Sequence, residues 1–173
     1  CMKRFSLLLF LVVMYSVDLC AKNINYTITT PYEYNNLVLK ANSSNETFAG
    51  DTIFIEKDLN LSDVGTIASF DGVIIGNGHV ISNLTAPLFD KVGPKGVVLG
   101  IVFDESCSIK DGLDAGFVSK ECNGTVRDCM NYGRVNISSD SHVYAGAFVG
   151  KLSSGKIVNC VNYGAIAAAY SGS

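Results

Sequence analysis

The side chains of this sequence that could do chemistry are a few carboxylates and two histidines. Asp104-Glu105 and Asp111-Gly112-Leu113-Asp114 each place two carboxylates close together, as acid–base or calcium-dependent cleavage of polysaccharides requires. His79 follows a Gly-Asn-Gly run near Asp71, where we expect a turn, and it forms no metal-ligand spacing with His142. His-Glu-x-x-His and Gly-x-Ser-x-Gly motifs do not occur. We therefore predict no catalytic, cofactor-binding or metal-binding residue, and we interpret the carboxylate pairs as solvated loops.

Composition narrows the class of protein. The chain has 173 residues, enough for one domain with a sizeable core. A net charge of −3 gives no basic surface for DNA or RNA, so we expect no nucleic-acid partner. Only 17% of residues are charged and 48% are hydrophobic, which argues against disorder.

The N-terminal segment has the pattern of a secretory signal peptide. Lys3-Arg4 is a basic start, Phe5–Met14 is an apolar run, and Leu19-Cys20-Ala21 ends in a small residue. The apolar run is shorter than the roughly 20 residues that span a bilayer. We predict that residues 1–21 are cleaved, which leaves no membrane span in the mature chain; an uncleaved signal anchor is the alternative. The protein is then secreted or displayed at the cell surface.

Glycosylation sequons give a second, independent indication of export. Seven Asn-x-Ser/Thr sequons are present, and a used sequon lies at the surface of a secreted protein. Chance occurrence in an Asn-rich bacterial protein is the alternative. The predicted N-glycosylation sites are Asn25, Asn42, Asn45, Asn60, Asn83, Asn123 and Asn136.

Two segments repeat at a constant spacing of 31 residues. Phe117–Val135 matches Phe148–Ile166, with identical Phe, Val, Lys, Gly, Cys, Asn and Tyr residues. A weaker copy lies upstream, where Leu88-Phe89, Gly96, Val98 and Ile101 take the places of Phe117-Val118, Gly124, Val126 and Cys129. A repeat of about 30 residues, rich in Val and Ile, is typical of stacked β coils.

The fold that we predict is all-β, a parallel β-helix, with an antiparallel β-sandwich as the alternative. Residues 22–66 are assigned to an N-terminal cap and first strands, and residues 67–173 to the solenoid repeats. No closing unit follows the last repeat, so we expect the natural protein to continue. The predicted strands are Asp51–Leu59, Val73–Ile75, His79–Ser82, Val97–Phe103, Thr125–Cys129 and Lys156–Cys160.

Residues that recur at the repeat spacing are predicted to stack on neighbouring coils. Asn131 and Asn162 would bond through their amides at a turn, as in Asn ladders of stacked strands. Gly133 and Gly164 would take a left-handed conformation that a β-carbon disfavours. The inward-facing pairs are Phe117 with Phe148, Val126 with Ile157, and Cys129 with Cys160.

The cysteines leave two arrangements open. Coils about 4.8 Å apart would allow a disulfide between Cys129 and Cys160. Ile101 takes the same position one coil earlier, which favours buried thiols acting as small apolar side chains. Cys107 and Cys122 lie outside this ladder, so they are the candidates for a loop disulfide.

Residues 30–166 resemble proteins that carry the GLUG repeat. The resemblance rests on Gly146-Ala147-Phe148-Val149-Gly150 followed by Gly155–Gly164, and on lead-in segments such as Phe48–Ile53 and Gly76–Leu84. Ser119 stands where the later repeat has Gly150. The resemblance implies a β-solenoid, without catalytic residues, as found in protist and bacterial surface proteins and in non-catalytic regions of immunoglobulin-A-cleaving metallopeptidases. It also implies that Pro31–Ala41, partly helical, caps the first coil.

These observations lead to a hypothesis about function. We expect a surface protein that acts in adhesion or as part of a coat, with host-cell or matrix proteins or glycans as partners. The alternative is the non-catalytic N-terminal part of a larger surface peptidase or hydrolase, and a solenoid polysaccharide lyase is a third, weaker option.

Overall fold

The computed structural model describes residues 23–110 and 112–170, which form a parallel β-solenoid of roughly five turns with one helix. The predicted signal peptide, residues 1–21, lies outside the described residues. Every described strand pair between neighbouring coils is parallel. The predicted parallel β-helix is therefore confirmed, and the antiparallel sandwich is wrong.

The solenoid is built from short strands, as the Gly- and Asn-punctuated sequence predicts. Helix α1 spans Pro31–Ser44. The strands in chain order are β1 Asn25–Ile28, β2 Thr52–Ile55, β3 Leu59–Asn60, β4 Ile67–Phe70, β5 Val73–Ile75, β6 Val80–Ser82, β7 Phe89–Val92, β8 Val97–Leu99, β9 Val102–Phe103, β10 Ser108–Ile109, β11 Asp114–Ala115, β12 Ser119–Cys122, β13 Thr125–Arg127, β14 Met130–Asn131, β15 Arg134–Ser139, β16 Tyr144–Ala145, β17 Val149–Leu152, β18 Lys156–Val158, β19 Val161–Asn162 and β20 Ile166–Tyr170.

Five parallel sheets form the walls. Sheet A contains β1, β2, β5, β8, β13 and β18; sheet B contains β3, β6, β9, β14 and β19; sheet C contains β4, β7, β12 and β17; sheet D contains β10, β15 and β20; and sheet E contains β11 and β16. Sheets D and E begin only with β10 and β11, so the later coils have two more walls than the early coils.

The coils lengthen along the chain because the later ones include these additional walls. In sheet A the spacing between register partners is 21 residues from Thr52 to Val73, 24 from Val73 to Val97, 28 from Val97 to Thr125 and 31 from Thr125 to Lys156. The spacing of 31 that the sequence displays is thus a property of the last two coils.

Inward-facing side chains form continuous apolar ladders. In sheet A, Ile53, Ile74, Val98 and Val126 stack on one another and none is exposed. Burying such a ladder supplies the main stabilisation of stacked coils, since one coil alone cannot cover its apolar side. Ile157 continues the ladder but is 41% exposed, because no described coil covers it. The predicted pairing of Val126 with Ile157 is confirmed.

One predicted ladder is out of register. In sheet C, Ser119 pairs with Val149, so the spacing there is 30, and Val118 rather than Phe117 lies opposite Phe148. The coil gains its extra residue at the corner between sheets C and A, where it restores the spacing of 31. Phe117 instead stacks on Phe103 inside the solenoid, with ring centroids 5.3 Å apart.

The same one-residue shift affects the upstream copy. Phe89 pairs with Ser119, which places Leu88 opposite Val118 and not opposite Phe117. The other two upstream matches are confirmed. Val98 pairs with Val126, and Ile101 lies directly below Cys129, because Met130 pairs with Val102.

The corner between sheets A and B requires left-handed backbone. Gly100, Asp128 and Asn159 follow β8, β13 and β18 directly, and all three have positive φ. Asp and Asn tolerate this conformation better than other residues with side chains. Strand prediction over Val97–Phe103 was wrong in joining two strands, because the chain turns at Gly100 and the segment belongs to sheets A and B.

The predicted left-handed conformation of Gly133 and Gly164 is wrong. Neither glycine has positive φ. They are required by close packing: a β-carbon on Gly164 would overlap the carbonyl oxygen of Gly133 in the coil below, and one on Gly133 would lie 2.7 Å from the Phe117 ring.

Helix α1 caps the first coil, as predicted. Its N-terminus is a capping box, in which Thr30 accepts a hydrogen bond from the backbone of Glu33 and the Glu33 carboxylate bonds back to Thr30. The helix packs on β1 and β4 through its buried face, which consists of Tyr34, Leu37, Val38 and Ala41. It covers strands at the first edge of the solenoid.

The predicted boundary at residue 66–67 is wrong. Strands β1 and β2 already pair with each other in sheet A, and β3 already belongs to sheet B. The solenoid therefore begins at Asn25, and the helix is an insertion between the first two strands of sheet A. The physical reason is that β1 pairs edge to edge with β2 across the inserted helix.

Candidate binding surface

The carboxylates that sequence reasoning singled out have structural contacts. Asp104 accepts a hydrogen bond from the backbone of Ser106 at 3.0 Å and so closes a tight turn. Asp114 pairs with Tyr144 in sheet E. Asp111 lies outside the described residues. Among the described residues, therefore, neither predicted carboxylate pair forms a two-carboxylate site.

His79 contacts Asp58 and not Asp71. The Nδ1 atom of His79 lies 3.2 Å from an Asp58 oxygen, which also accepts the backbone N–H of Val80 at 2.8 Å. The Val80 hydrogen bond, followed by the one from His79, lowers the pKa of Asp58. The pair lies at the corner between sheets A and B and connects two coils, so its contacts are those of a turn.

Two searches for sites were limited to the described residues, 23–110 and 112–170. In them, no three His, Cys, Asp or Glu side chains converge as metal ligands would. No helix in this part of the chain is long and apolar enough to cross a membrane.

The predicted loop disulfide between Cys107 and Cys122 is wrong. Both are fully buried free thiols in different walls. Cys122 stacks between Val92 and Leu152, and the Cys107 thiol donates to the backbone oxygen of Ile81 at 3.3 Å. Burial raises the pKa of the Cys107 thiol to about 11. These two cysteines serve as small apolar side chains.

Cys129 and Cys160 occupy one position on neighbouring coils, as predicted. Met130 pairs with Val161, and the N–H of Val161 donates to the oxygen of Cys129 at 2.9 Å. Both cysteines are free thiols; Cys129 is buried and Cys160 is partly buried.

The two stacked asparagines form the predicted amide bond. Asn131 donates from Nδ2 to Oδ1 of Asn162 at 2.7 Å. Asn131 is fully buried and also bonds both the N–H and the carbonyl of Gly133. The ladder has only these two amides, because Phe103 lies beneath Asn131.

The sequon asparagines lie on the outside of the molecule. Six of the seven are exposed, on the helix, on outward strand positions or at corners. Asn123 differs because it is half-buried and its amide donates to Glu121 at 3.1 Å. The exposed six are Asn25, Asn42, Asn45, Asn60, Asn83 and Asn136.

The outer face of sheet C is charged. Lys120 pairs with Asp90 on the previous coil at 2.6 Å, and Lys91 pairs with Glu121 at 3.6 Å. Such pairs on exposed strands favour solubility and contribute little to stability. This wall is what an exposed face of a soluble solenoid is expected to look like.

The outer faces of sheets A and B are apolar. Three outward positions of sheet A, Phe54, Ile75 and Leu99, stack in register and are half-exposed. Sheet B has a parallel row on its outside: Val80, Val102, Met130 and Val161. We call these seven residues, together with Tyr132 and Tyr163, the apolar face.

Two stacked tyrosines adjoin the row on sheet B. The rings of Tyr132 and Tyr163 are 5.0 Å apart at 12° to one another, and Tyr132 is 38% exposed. Beside Tyr132 lies a shallow concavity of about 580 Å³, lined by Val80, Val102, Asp104, Glu105, Ser106 and Tyr132. Apolar and aromatic walls with a few polar groups are typical of binding sites.

Sequence reasoning missed the apolar face, although a signal was present. Val73-Ile74-Ile75 and Val97-Val98-Leu99 are apolar at every position and do not alternate. Continuous apolar runs are typical of strands buried on both faces. In the described structure only the inner positions are fully buried, while the outer ones keep contact with solvent.

Comparison of the chain with protein-family models, with curated proteins and with solved structures gave no match. The candidate binding surface therefore rests on the structure alone.

Proposed function

We propose that this protein is a secreted or cell-surface repeat protein that binds a partner through the apolar face, in adhesion or in a surface coat. The contrast between its walls is the observation that carries the proposal. One wall, sheet C, has paired charges outward, whereas sheets A and B have stacked apolar and aromatic side chains outward. Exposed contiguous apolar patches are characteristic of interaction sites.

The exposed sequon asparagines support the export half of the proposal. N-glycans need surface positions, and six of the seven sequons supply them. No sequon falls on β5, β8 or β9, so glycans would leave the centre of the apolar face open.

Export is tested by expressing the chain from Met2 to Ser173 in a glycosylating eukaryotic host. We expect protein in the medium that begins after Ala21 and loses mass on treatment with an endoglycosidase. We expect Asn123 to be the least occupied sequon because its amide is bonded to Glu121. Retention inside the cell without glycans would contradict this half of the proposal.

Binding is tested by flow cytometry of the secreted protein on cultured cells and by adsorption to matrix proteins and glycans. The double variant Met130→Ser/Tyr132→Ser should weaken binding more than tenfold, since exposed aromatic residues dominate interface energies. The matched control on the charged wall, Lys91→Ser/Lys120→Ser, should bind as the wild type does.

Two results would count against the adhesion reading. Equal binding by both double variants would exclude the apolar face as the site. If the wild type binds none of these surfaces, the coat reading requires self-association of the protein at a concentration that sedimentation can measure.

A further inference from the structure

Two thiols occupy equivalent positions on neighbouring coils. Cys129 and Cys160 directly precede Met130 and Val161, which are register partners, and the backbones are joined by the hydrogen bond from Val161 to Cys129. Ile101 takes this position one coil earlier and is fully buried, so the position faces the interior. The two sulfur atoms thus lie on the same side of adjacent strands.

The backbone geometry of this position suits a cross-link. Adjacent strands are about 4.8 Å apart, within the roughly 4.4–6.8 Å between Cα atoms that disulfides span. Each thiol at present has only a backbone acceptor on its own coil: Arg127 for Cys129 at 3.2 Å and Val158 for Cys160 at 3.4 Å. Rotation of the two side chains would bring the sulfurs into bonding distance without moving either strand.

We propose that Cys129 and Cys160 are a redox pair that closes into a disulfide and links two neighbouring coils. The inference does not depend on the proposed function, although export would supply an oxidising environment.

The two thiols differ in reactivity. The hydrogen bond from Cys129, the main cause, lowers the pKa of Cys160 to about 6. The same hydrogen bond and burial raise the pKa of Cys129. Cys160 is also the less buried of the two. Since the thiolate is the nucleophile, Cys160 reacts first.

The reaction with a small disulfide such as oxidised glutathione is balanced. The Cys160 thiolate attacks one sulfur of the reagent, whose S–S bond breaks and releases one glutathione thiolate. Cys129 loses its proton to that thiolate and attacks the Cys160 sulfur, which releases the second glutathione. The protein loses two electrons and two protons, and oxidised glutathione takes them up as two molecules of glutathione.

The other two described cysteines are internal controls. Cys107 and Cys122 are also buried free thiols, but Cys122 has Val92 and Leu152 as its register partners. Neither has a cysteine beside it on the next coil, so neither should form an intramolecular disulfide.

Peptide mapping of the full chain tests the proposal. The reduced protein is incubated with oxidised glutathione, blocked with N-ethylmaleimide and digested with trypsin. We expect peptide 128–134 joined to peptide 157–173, with the Cys122 peptide, 121–127, recovered in its alkylated form. Absence of the joined peptide after prolonged oxidation, or a link from either peptide to Cys107 or Cys122, would overturn the proposal.

A second measurement tests the link in the folded protein. Closing a loop of this length should raise the folding equilibrium constant more than about tenfold, so that the oxidised protein unfolds at higher urea than the reduced protein. Cys160→Ser is matched to the wild type and should show no such difference. If oxidation shifts the wild type and Cys160→Ser equally, the link does not join these coils.

Discussion

Asn131 is an exception within the core. Its inward row in sheet B continues from Leu59, Ile81 and Phe103, all apolar and buried. An amide is tolerated in this row because its oxygen and nitrogen are both satisfied by Gly133 and Asn162. The side chain thereby holds the turn into sheet D in place of a backbone hydrogen bond.

Replacing this amide should be costly. Asn131→Ala leaves the buried N–H of Gly133 without its acceptor, so we expect a loss of about 2–3 kcal/mol in the free energy of unfolding, measured with urea. Asn162→Ala is the matched control, because Asn162 makes the same bonds to Gly164 but is exposed. It should cost less than about 1 kcal/mol. Equal losses for the two variants would show that the Asn131 amide is not buried.

At the residue scale, the sequence predicted identities better than conformations. The Asn and Cys pairs stack as expected because their spacing of 31 is the coil length of sheets A and B. The left-handed positions were assigned to glycines, but Asp128 and Asn159 occupy them. A repeat shows that a glycine is required without showing whether backbone angle or close packing requires it.

At the scale of single strands, alternation decides which side chains support the fold. Ile74 and Ile75 are identical neighbours on β5, but Ile74 faces inward and is fully buried, whereas Ile75 faces outward. We expect Ile74→Ala to lower the free energy of unfolding by about 2–5 kcal/mol, because it leaves a cavity. Ile75→Ala should cost about 1 kcal/mol or less. Urea unfolding of both variants measures the difference, and a reversed order would refute the strand orientation.

The start of helix α1 should make stability depend on pH. The Glu33 carboxylate accepts the N–H of Thr29 at 2.7 Å and that of Thr30 at 3.0 Å. These bonds, chiefly those from Thr29, lower the pKa of Glu33 from its ordinary value of 4.5. A lowered pKa contributes stability above the unfolded value, which is lost as the pH falls through the folded value.

The test compares the wild type with Glu33→Gln across pH. At pH 7 the wild type should be the more stable protein, and the difference should disappear as the pH falls below 4.5. Other carboxylates titrate equally in both proteins and cancel. A difference that stays constant from pH 7 to pH 3 would mean that the charge of Glu33 does not stabilise the helix.

At the element scale, the sequence revealed sheets A and B but not sheet C. Strands such as Ile67–Phe70 have two outward residues between two inward ones, so they lack the period of two that marks a strand. Pairing with neighbouring coils, which is non-local, creates these strands. Helix α1 could be predicted because its cap is local, encoded by Thr30 and Glu33.

The whole molecule is a solenoid with chemically distinct walls and coils that lengthen from 21 to 31 residues. A single repeat length therefore describes only its last part. The arrangement of walls could not be read from the sequence, because the outer residues of different coils become one surface only when the register is known. That surface, with charges on sheet C and apolar residues on sheets A and B, is what the proposed function rests on.

The account depends on residues 31 apart lying on adjacent strands. Scalar couplings across hydrogen bonds, measured by NMR on isotope-labelled protein, identify backbone donor and acceptor directly. We predict that the amide nitrogen of Lys156 couples to the carbonyl carbon of Gly124, that of Val161 to Cys129, and that of Tyr163 to Asn131. Couplings from these three amides to other carbonyls would contradict the stacked parallel coils.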